Sequence, residues 1–167
     1  MSMVKDDALN QIASRLSKDM VSFKTFDDYK KYLIDRLNEK EPGEHTFEGL
    51  YQPFSYIDKS LQILPLEKID SAGFYADLLK KKVVDLGKKV EELKTPSSYQ
   101  GVRLGRQVDL PIYVETDPNG KFYVMDGMRR LVQTAVSDEK DILSFVDKGN
   151  GPTLEEVFNK VKERKQQ

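Results

Sequence analysis

The 167-residue chain contains no cysteine, no tryptophan and a single histidine, His45. Without cysteine it can form no disulfide, no thiolate nucleophile and no thiolate metal site. No segment approaches the roughly 20 consecutive apolar residues that a membrane span needs, and the first residues lack the apolar core of a signal peptide. We therefore expect a cytoplasmic protein with no membrane partner.

The chain also lacks an excess of charge of either sign. Its 27 lysine and arginine residues balance 28 aspartate and glutamate residues, which leaves a formal net charge of −1. This balance excludes the overall basic surface of nonspecific nucleic-acid binders. A local patch stays open, because Lys80 to Lys82, Lys88, Lys89, Arg103 and Arg106 could line a groove, although lysine clusters on a helix are more commonly a solvated face. His45 lies between Glu44 and Glu48, but a lone histidine in a polar loop is typically unliganded, so we predict no metal site there.

Apolar residues recur every fourth position near the start of the chain and predict a helix from about residue 4 to residue 20. Thr25, with Asp28 three residues later, is typical of the start of a second helix, which should end near Glu39. We expect these two helices to form a hairpin. Tyr51, Phe54 and Tyr56 follow in a loop and could stack on a base, although aromatic residues in an ordered loop more commonly fill the core.

The rest of the chain alternates between extended and helical patterns. The patterns predict a strand at 61–66, a helix at 74–93 and a loop at 97–108. They then predict a hairpin, with strands at 110–116 and 121–125 joined by a turn at 117–120, and a further strand at 142–146. A final helix should start at Thr153, with a capping box completed by Glu156. A helix is also predicted directly after the hairpin.

The segment Asp126-Gly127-Met128-Arg129-Arg130 lies where the second hairpin strand should end and this helix begin. An acid that caps the helix, a glycine that lets the backbone approach a ligand, and two arginines in the first turn are suited to binding an anion, most simply a phosphate. Arg129 and Arg130 project roughly 100° apart, so at least one should flank the ligand, and we favour Arg130. The predicted phosphate-binding residues are Gly127, Arg129 and Arg130. The alternative is that Asp126 only caps the helix and both arginines form surface ion pairs.

Two motifs carry a resemblance to a known family. The segment Leu64-Pro65-Leu66-Glu67-Lys68-Ile69 and the segment from Val124 to Ala135 occur in an element order that resembles the ParB/sulfiredoxin-like superfamily over about residues 61 to 146. The resemblance implies an α+β fold with a small mixed sheet and packed helices. It also implies nucleotide binding, with the phosphates against the Gly-x-x-Arg turn, in proteins that hydrolyse or transfer phosphate or cut nucleic acid. On this interpretation, residues 1–60 are a helical hairpin with an ordered loop, 61–147 are the family domain, and 148–167 are a C-terminal helix on the same unit.

The chain departs from the family at Met128, where the resemblance would place an acid in partition proteins and a reactive cysteine in sulfiredoxins. A thioether is neither a general base nor a nucleophile of that kind, so sulfiredoxin activity is excluded and partition-type hydrolysis lacks its acid. A replacement acid could be Glu67, since in family members that act as kinases an acid near this strand activates the acceptor or holds Mg²⁺. Asp70 is the neighbouring alternative, and both could simply be solvated.

The leading hypothesis is therefore a protein that binds a nucleotide or another phosphate ligand, with Arg103 in a loop that covers the site. It could be a nucleotide hydrolase or phosphotransferase that uses Mg²⁺. Met128 favours a second hypothesis, a non-catalytic interaction module whose N-terminal helices dock to a partner protein. A DNA nuclease is a third.

Overall fold

The structure is a computed structural model that describes residues 3–38, 52–70, 110–127, 130, 131, 134 and 139–165. It is an α+β fold, as predicted. The helices are α1 (Met3–Met20), α2 (Phe26–Asn38), α3 (Pro53–Tyr56) and α4 (Leu154–Lys165), and the strands are β1 (Ser60–Pro65), β2 (Ile112–Thr116), β3 (Phe122–Asp126) and β4 (Asp141–Val146). The helix predicted at 74–93 and the loop predicted at 97–108 lie outside the described residues.

Two helices begin with the side-chain caps that the sequence predicts. At the start of α2, the hydroxyl of Thr25 accepts a hydrogen bond from the backbone N–H of Asp28 at 3.2 Å. At the start of α4, the hydroxyl of Thr153 accepts the N–H of Glu156 at 3.2 Å, and the Glu156 carboxylate accepts the N–H of Thr153 at 3.4 Å. These bonds satisfy amide groups that have no partner inside the helix, so they fix where each helix starts.

The predicted hairpin is confirmed. Strands β2 and β3 are joined by a turn in which the Asp117 carboxylate accepts the backbone N–H groups of Asn119 at 2.9 Å and Lys121 at 2.8 Å. The Lys121 bond is the main reason that the pKa of Asp117 lies below its usual value. Gly120 completes the turn with a φ of 83°, a conformation that favours glycine.

The four strands form one mixed sheet in the order β1-β4-β2-β3. Strand β4 is antiparallel to β1 and parallel to β2, whereas β2 and β3 are antiparallel. A register shift between Tyr113 and Val114 places Asp126, the last residue of β3, opposite Tyr113. Shifts of this kind re-aim side chains at the end of a strand.

The segment that follows β1 reaches the opposite edge of the sheet, at β3. Strands β1 and β3 are at opposite edges of the sheet, yet Ile69, only four residues after β1, forms a parallel bridge with Phe122 of β3. The N–H of Asp70 donates to the carbonyl oxygen of Phe122 at 2.8 Å. The segment after β1 therefore covers part of the outer edge of β3.

The core has two parts. The larger is built from helices α1, α2, α3 and α4 and strands β1, β2 and β4, and includes Ile12, Leu16, Met20, Tyr29, Leu33, Tyr56, Leu61, Phe145, Val157 and Phe158. The smaller includes Leu64, Ile69, Ile112, Val114, Leu131, Ile142 and Val146. The apolar stripes of α1 and α2 are thus buried within the chain itself. Across the described ranges, no helix combines the length and the apolar character that crossing a bilayer would require.

Candidate functional site

The candidate site is the turn that follows β3. This strand ends at Asp126, and the carbonyl oxygen of Gly127 accepts the N–H of Leu131 at 3.0 Å, which is the first hydrogen bond of a helical turn. Leu131 is fully buried in the smaller core cluster. The strand-to-helix junction is therefore fixed by packing directly below the turn.

Both the backbone conformation and the lack of space for a side chain at position 127 favour glycine. Its φ is 100°, in the left-handed region. A Cβ atom at this position would lie 2.7 Å from Nη2 of Arg130 and 2.7 Å from Cγ2 of Ile112. The Arg130 guanidinium therefore packs directly against the Gly127 backbone.

Arg130 carries a buried charged group that the described residues do not fully pair. Its side chain is only 17% exposed, and its Nε and Nη2 atoms are buried with no hydrogen-bond partner among the described residues. Oδ2 of Asp126, a described carboxylate oxygen, is 4.0 Å from Nη2, which is too long for a hydrogen bond. Buried polar atoms in proteins nearly always have a partner, and an unpartnered one calls for an explanation such as an ion or a water.

Asp126 is held from the other side by Tyr56. The Tyr56 hydroxyl donates a hydrogen bond to Oδ2 of Asp126. The Tyr56 ring is fully buried and stacks on Tyr113, with ring centroids 4.7 Å apart and planes 6° from parallel. Burial raises the pKa of Tyr56 well above its ordinary value, and the charge of Asp126 and the hydrogen bond to it raise it further. The charge of Arg130 and a hydrogen-bonding interaction with its side chain offset part of the effect. Tyr56 therefore stays protonated and acts as a donor.

Sequence reasoning placed Tyr56 in the core but did not include it in the site. Both roles hold, because a tyrosine can bury its ring and still direct its hydroxyl to a polar partner. The matching expectation for Phe54 was wrong, since its side chain is 67% exposed, and Tyr51 lies outside the described residues. A tyrosine on α3, just before β1, gives no local signal that it will contact a residue 70 positions later.

The structure brings together three of the predicted residues, Asp126, Gly127 and Arg130. The described contacts of the Asp126 carboxylate are with Tyr56 and Arg130, whereas a capping bond would involve the N–H groups of residues 128 and 129. The capping role of Asp126 thus stays a prediction. Met128, Arg129, the covering-loop residue Arg103, Arg106, His45 and the lysine clusters lie outside the described residues.

Glu67, the predicted catalytic acid, is exposed on a single 3-10 turn, Leu66–Lys68, after β1. Within the described parts of the chain, its side chain forms no hydrogen bond or ion pair, so no such contact links it to Gly127 or Arg130. The alternative acid, Asp70, forms an ion pair with Lys121 at 2.9 Å. Its hydrogen bond is the main reason that the pKa of Lys121 lies above its usual value. The catalytic role of Glu67 stays a prediction.

A resident metal has no evident ligand set in the described segments, which contain no group of three or more histidine and acidic side chains close enough to share an ion. Comparison of the whole chain with protein-family models finds no match, and neither does comparison with curated protein sequences. The resemblance to the ParB/sulfiredoxin-like superfamily therefore stays a prediction from the two motifs.

Proposed function

We propose that the chain binds a phosphate-bearing ligand, a nucleotide or a related molecule, at the turn from Gly127 to Arg130. The observation that carries this proposal is the state of Arg130. Its guanidinium is largely withdrawn from water, and in the described part of the chain Nε and Nη2 have no hydrogen-bond partner. A buried, unsatisfied donor costs about 1–3 kcal/mol, and more when it is charged. An anion that accepts these N–H groups would remove that cost.

The chemistry of the turn favours phosphate among anions. A guanidinium can present two parallel N–H groups to two phosphate oxygens, so the contact is directional as well as electrostatic. The start of a helix adds backbone N–H groups and the positive end of the helix dipole. Gly127 has no side chain, so the Arg130 guanidinium can pack against the backbone of the turn at the point where a ligand would be bound. Arg129 would supply a second cation and Arg103 a covering one.

The resemblance to the ParB/sulfiredoxin-like superfamily supports a nucleotide as the phosphate-bearing ligand, with Mg²⁺ bound through the phosphates of that nucleotide. Transfer or hydrolysis of phosphate would also need an acid near the ligand. Glu67 is the candidate from the sequence, and in its described position it would have to reach the ligand from the exposed turn after β1. Binding is therefore the core of the proposal, and turnover is an additional step.

A thermal-shift titration tests the binding. Inorganic phosphate, ATP alone and ATP with Mg²⁺ are added separately to the full chain. A ligand at about 100 times its Kd should stabilise the folded state by about 2.7 kcal/mol and raise the melting temperature. A shift with phosphate alone identifies a simple phosphate site, and a shift with ATP only identifies a nucleotide site.

Arg130→Met should abolish the shift, because it keeps much of the aliphatic side chain and removes the guanidinium. Arg164→Met is the matched control: Arg164 is exposed on α4, where its guanidinium contacts Asn10 at 2.7 Å. Its shift should equal that of the parent chain. If none of the three additions raises the melting temperature of the parent chain, the proposal is contradicted.

Glu67 is exposed, and no described hydrogen bond or ion pair links it to the turn, which favours a second candidate, a phosphate-sensing interaction module without turnover. Binding of ATP with no release of phosphate would support it. Its partner would meet the polar faces of α1 and α2, since their apolar residues are in the core. The nuclease hypothesis would be tested by Mg²⁺-dependent nicking of a plasmid that Glu67→Ala abolishes.

A further inference from the structure

We propose that Tyr56 is a positioning residue of this site: by holding the Asp126 carboxylate, it prevents that carboxylate from pairing closely with Arg130 and so keeps the guanidinium ready for a phosphate. This inference rests on the proposed function. It adds a residue from α3 that neither sequence motif contains.

One oxygen atom of Asp126 faces two donors. Oδ2 of Asp126 accepts the hydroxyl of Tyr56, and the same oxygen is 4.0 Å from Nη2 of Arg130. Asp126, the last residue of β3, and Arg130 lie on either side of the same turn, so their opposite charges are close enough to attract each other. Here the Tyr56 hydroxyl makes the close contact with Oδ2, and Nη2 of Arg130 lies about 1 Å beyond hydrogen-bond distance from the same oxygen.

Tyr56 is fixed well enough to hold the carboxylate in place. Its ring is fully buried and nearly parallel to that of Tyr113, whose backbone lies opposite Asp126 in the pairing of β2 with β3. The Tyr113 hydroxyl is directed elsewhere, to Oε2 of Glu115 at 2.8 Å. The Tyr56 hydroxyl therefore faces Asp126 from a rigid aromatic pair anchored to the sheet.

A tyrosine is chemically suited to this task because it is a neutral donor. It satisfies the carboxylate without adding a positive charge that would compete with Arg130 for the ligand. Without the hydroxyl, Oδ2 would lose that donor, and Nη2 of Arg130, 4.0 Å away, is a described donor that could take its place. A closer ion pair would then compete with the phosphate for the same N–H groups, and the competition would appear as weaker binding.

The test is a double-mutant cycle on the full chain with inorganic phosphate and ATP as probes, measured by calorimetric titration. Tyr56→Phe keeps the ring stacked on Tyr113 and should weaken binding by about tenfold, equivalent to about 1.4 kcal/mol. Asp126→Asn removes the competing carboxylate and should bind at least as tightly as the parent. The double variant Tyr56→Phe/Asp126→Asn should recover to within about threefold of the parent, because the hydroxyl matters only while the carboxylate is present.

The outcomes separate this inference from the proposed function. If the parent chain binds neither probe, both are overturned. If the parent binds and Tyr56→Phe binds equally well, or if the double variant stays as weak as Tyr56→Phe, only the inference is overturned, since the second result would mean that Tyr56 acts through packing. If Tyr56→Phe does not fold, the Asp126→Asn variant decides, because weaker binding than the parent contradicts a competing carboxylate.

Discussion

The hydroxyl of Tyr56 and the carboxylate of Asp126 form a hydrogen bond between residues that are 70 positions apart. One partner ends the short helix α3 and the other ends strand β3. The bond thus ties the N-terminal part of the chain to the turn where Arg130 lies. The Tyr56 hydroxyl therefore affects the stability of the fold as well as the position of the Asp126 carboxylate near Arg130.

This bond should make stability sensitive to alkaline pH. The pKa of Tyr56 is raised in the folded protein above its ordinary value of 10.0. The contribution is therefore complete below pH 10 and is lost above it, where the unfolded chain releases the proton while the folded chain keeps it. Each pH unit in that range should cost the parent about 1.4 kcal/mol through this group.

Denaturant unfolding at a series of pH values measures the effect. The free energy of unfolding of Tyr56→Phe should fall less steeply above pH 10 than that of the parent, and the two curves should run parallel below it. Other tyrosines and the lysines titrate in both proteins, so the difference between the curves isolates Tyr56. Parallel curves throughout would show that the folded-state pKa of Tyr56 is ordinary.

A second prediction concerns the close approach at Gly127. Gly127→Ala combines a φ of 100° with a Cβ placed 2.7 Å from both Nη2 of Arg130 and Cγ2 of Ile112. Gly120→Ala is the matched control, since its φ is 83° but a Cβ there meets nothing within 4 Å. Backbone strain alone costs of order 1–3 kcal/mol.

Chemical denaturation should show a larger loss of stability for Gly127→Ala than for Gly120→Ala, by about 1 kcal/mol or more, because overpacking adds to the strain. Gly127→Ala should also weaken the ligand-induced thermal shift, whereas Gly120→Ala should not. Equal losses of stability in the two variants would mean that the guanidinium moves aside at no cost.

The contrast between these sites shows what the sequence can and cannot predict. Thr25, Thr153 with Glu156, and the turn after Asp117 are confirmed because each depends on hydrogen bonds between residues at most four positions apart. The packing of Arg130 against Gly127 is local as well, whereas the binding role of both residues stays a prediction. Local chemistry of this kind is visible as a short pattern.

Long-range contacts left no such pattern. The bond from Tyr56 to Asp126 and the bridge from Ile69 to Phe122 depend on how the sheet curls, which follows from the packing of both core clusters together. The relation of Glu67 to the turn also depends on the path of the chain after β1. A motif can place an acid in sequence, but the distance between that acid and Arg130 is set by the tertiary structure.

A third prediction concerns the loop between β4 and α4. A Cβ on Gly151 would lie 1.9 Å from the carbonyl oxygen of Leu61, at a point where the N–H of Leu61 donates to Pro152 at 2.8 Å. Gly151→Ala must therefore push the loop away from β1 and should destabilise the chain by about 1–3 kcal/mol or more. The measurement is again the free energy of unfolding.

Gly149→Ala is the matched control for that loop. Its Cβ would lie 2.2 Å from the Ser60 hydroxyl oxygen and 2.5 Å from Nε2 of Gln62, which are atoms of side chains that can rotate. The loss of stability should be smaller than that of Gly151→Ala. The reverse order would indicate that the contact between this loop and the Leu61 backbone is looser than the structure has it.

The last prediction distinguishes a ligand-binding Arg130 from a structural one in the absence of any ligand. If Arg130 served mainly as the ion-pair partner of Asp126, its removal would break a buried pair and should cost about 3–5 kcal/mol. The structure favours the other role, since Nε and Nη2 form no hydrogen bond with any described residue and Asp126 accepts a hydrogen bond from Tyr56. Arg130→Met replaces the unsatisfied group by an apolar one, so the ligand-free chain should be as stable as the parent or more stable by up to about 1 kcal/mol.

Such a variant, stable but unable to respond to phosphate or ATP, would show that the arginine is retained for binding at a cost to the fold, as expected of functional sites. A loss of 3 kcal/mol or more in chemical denaturation would instead assign Arg130 to the structure.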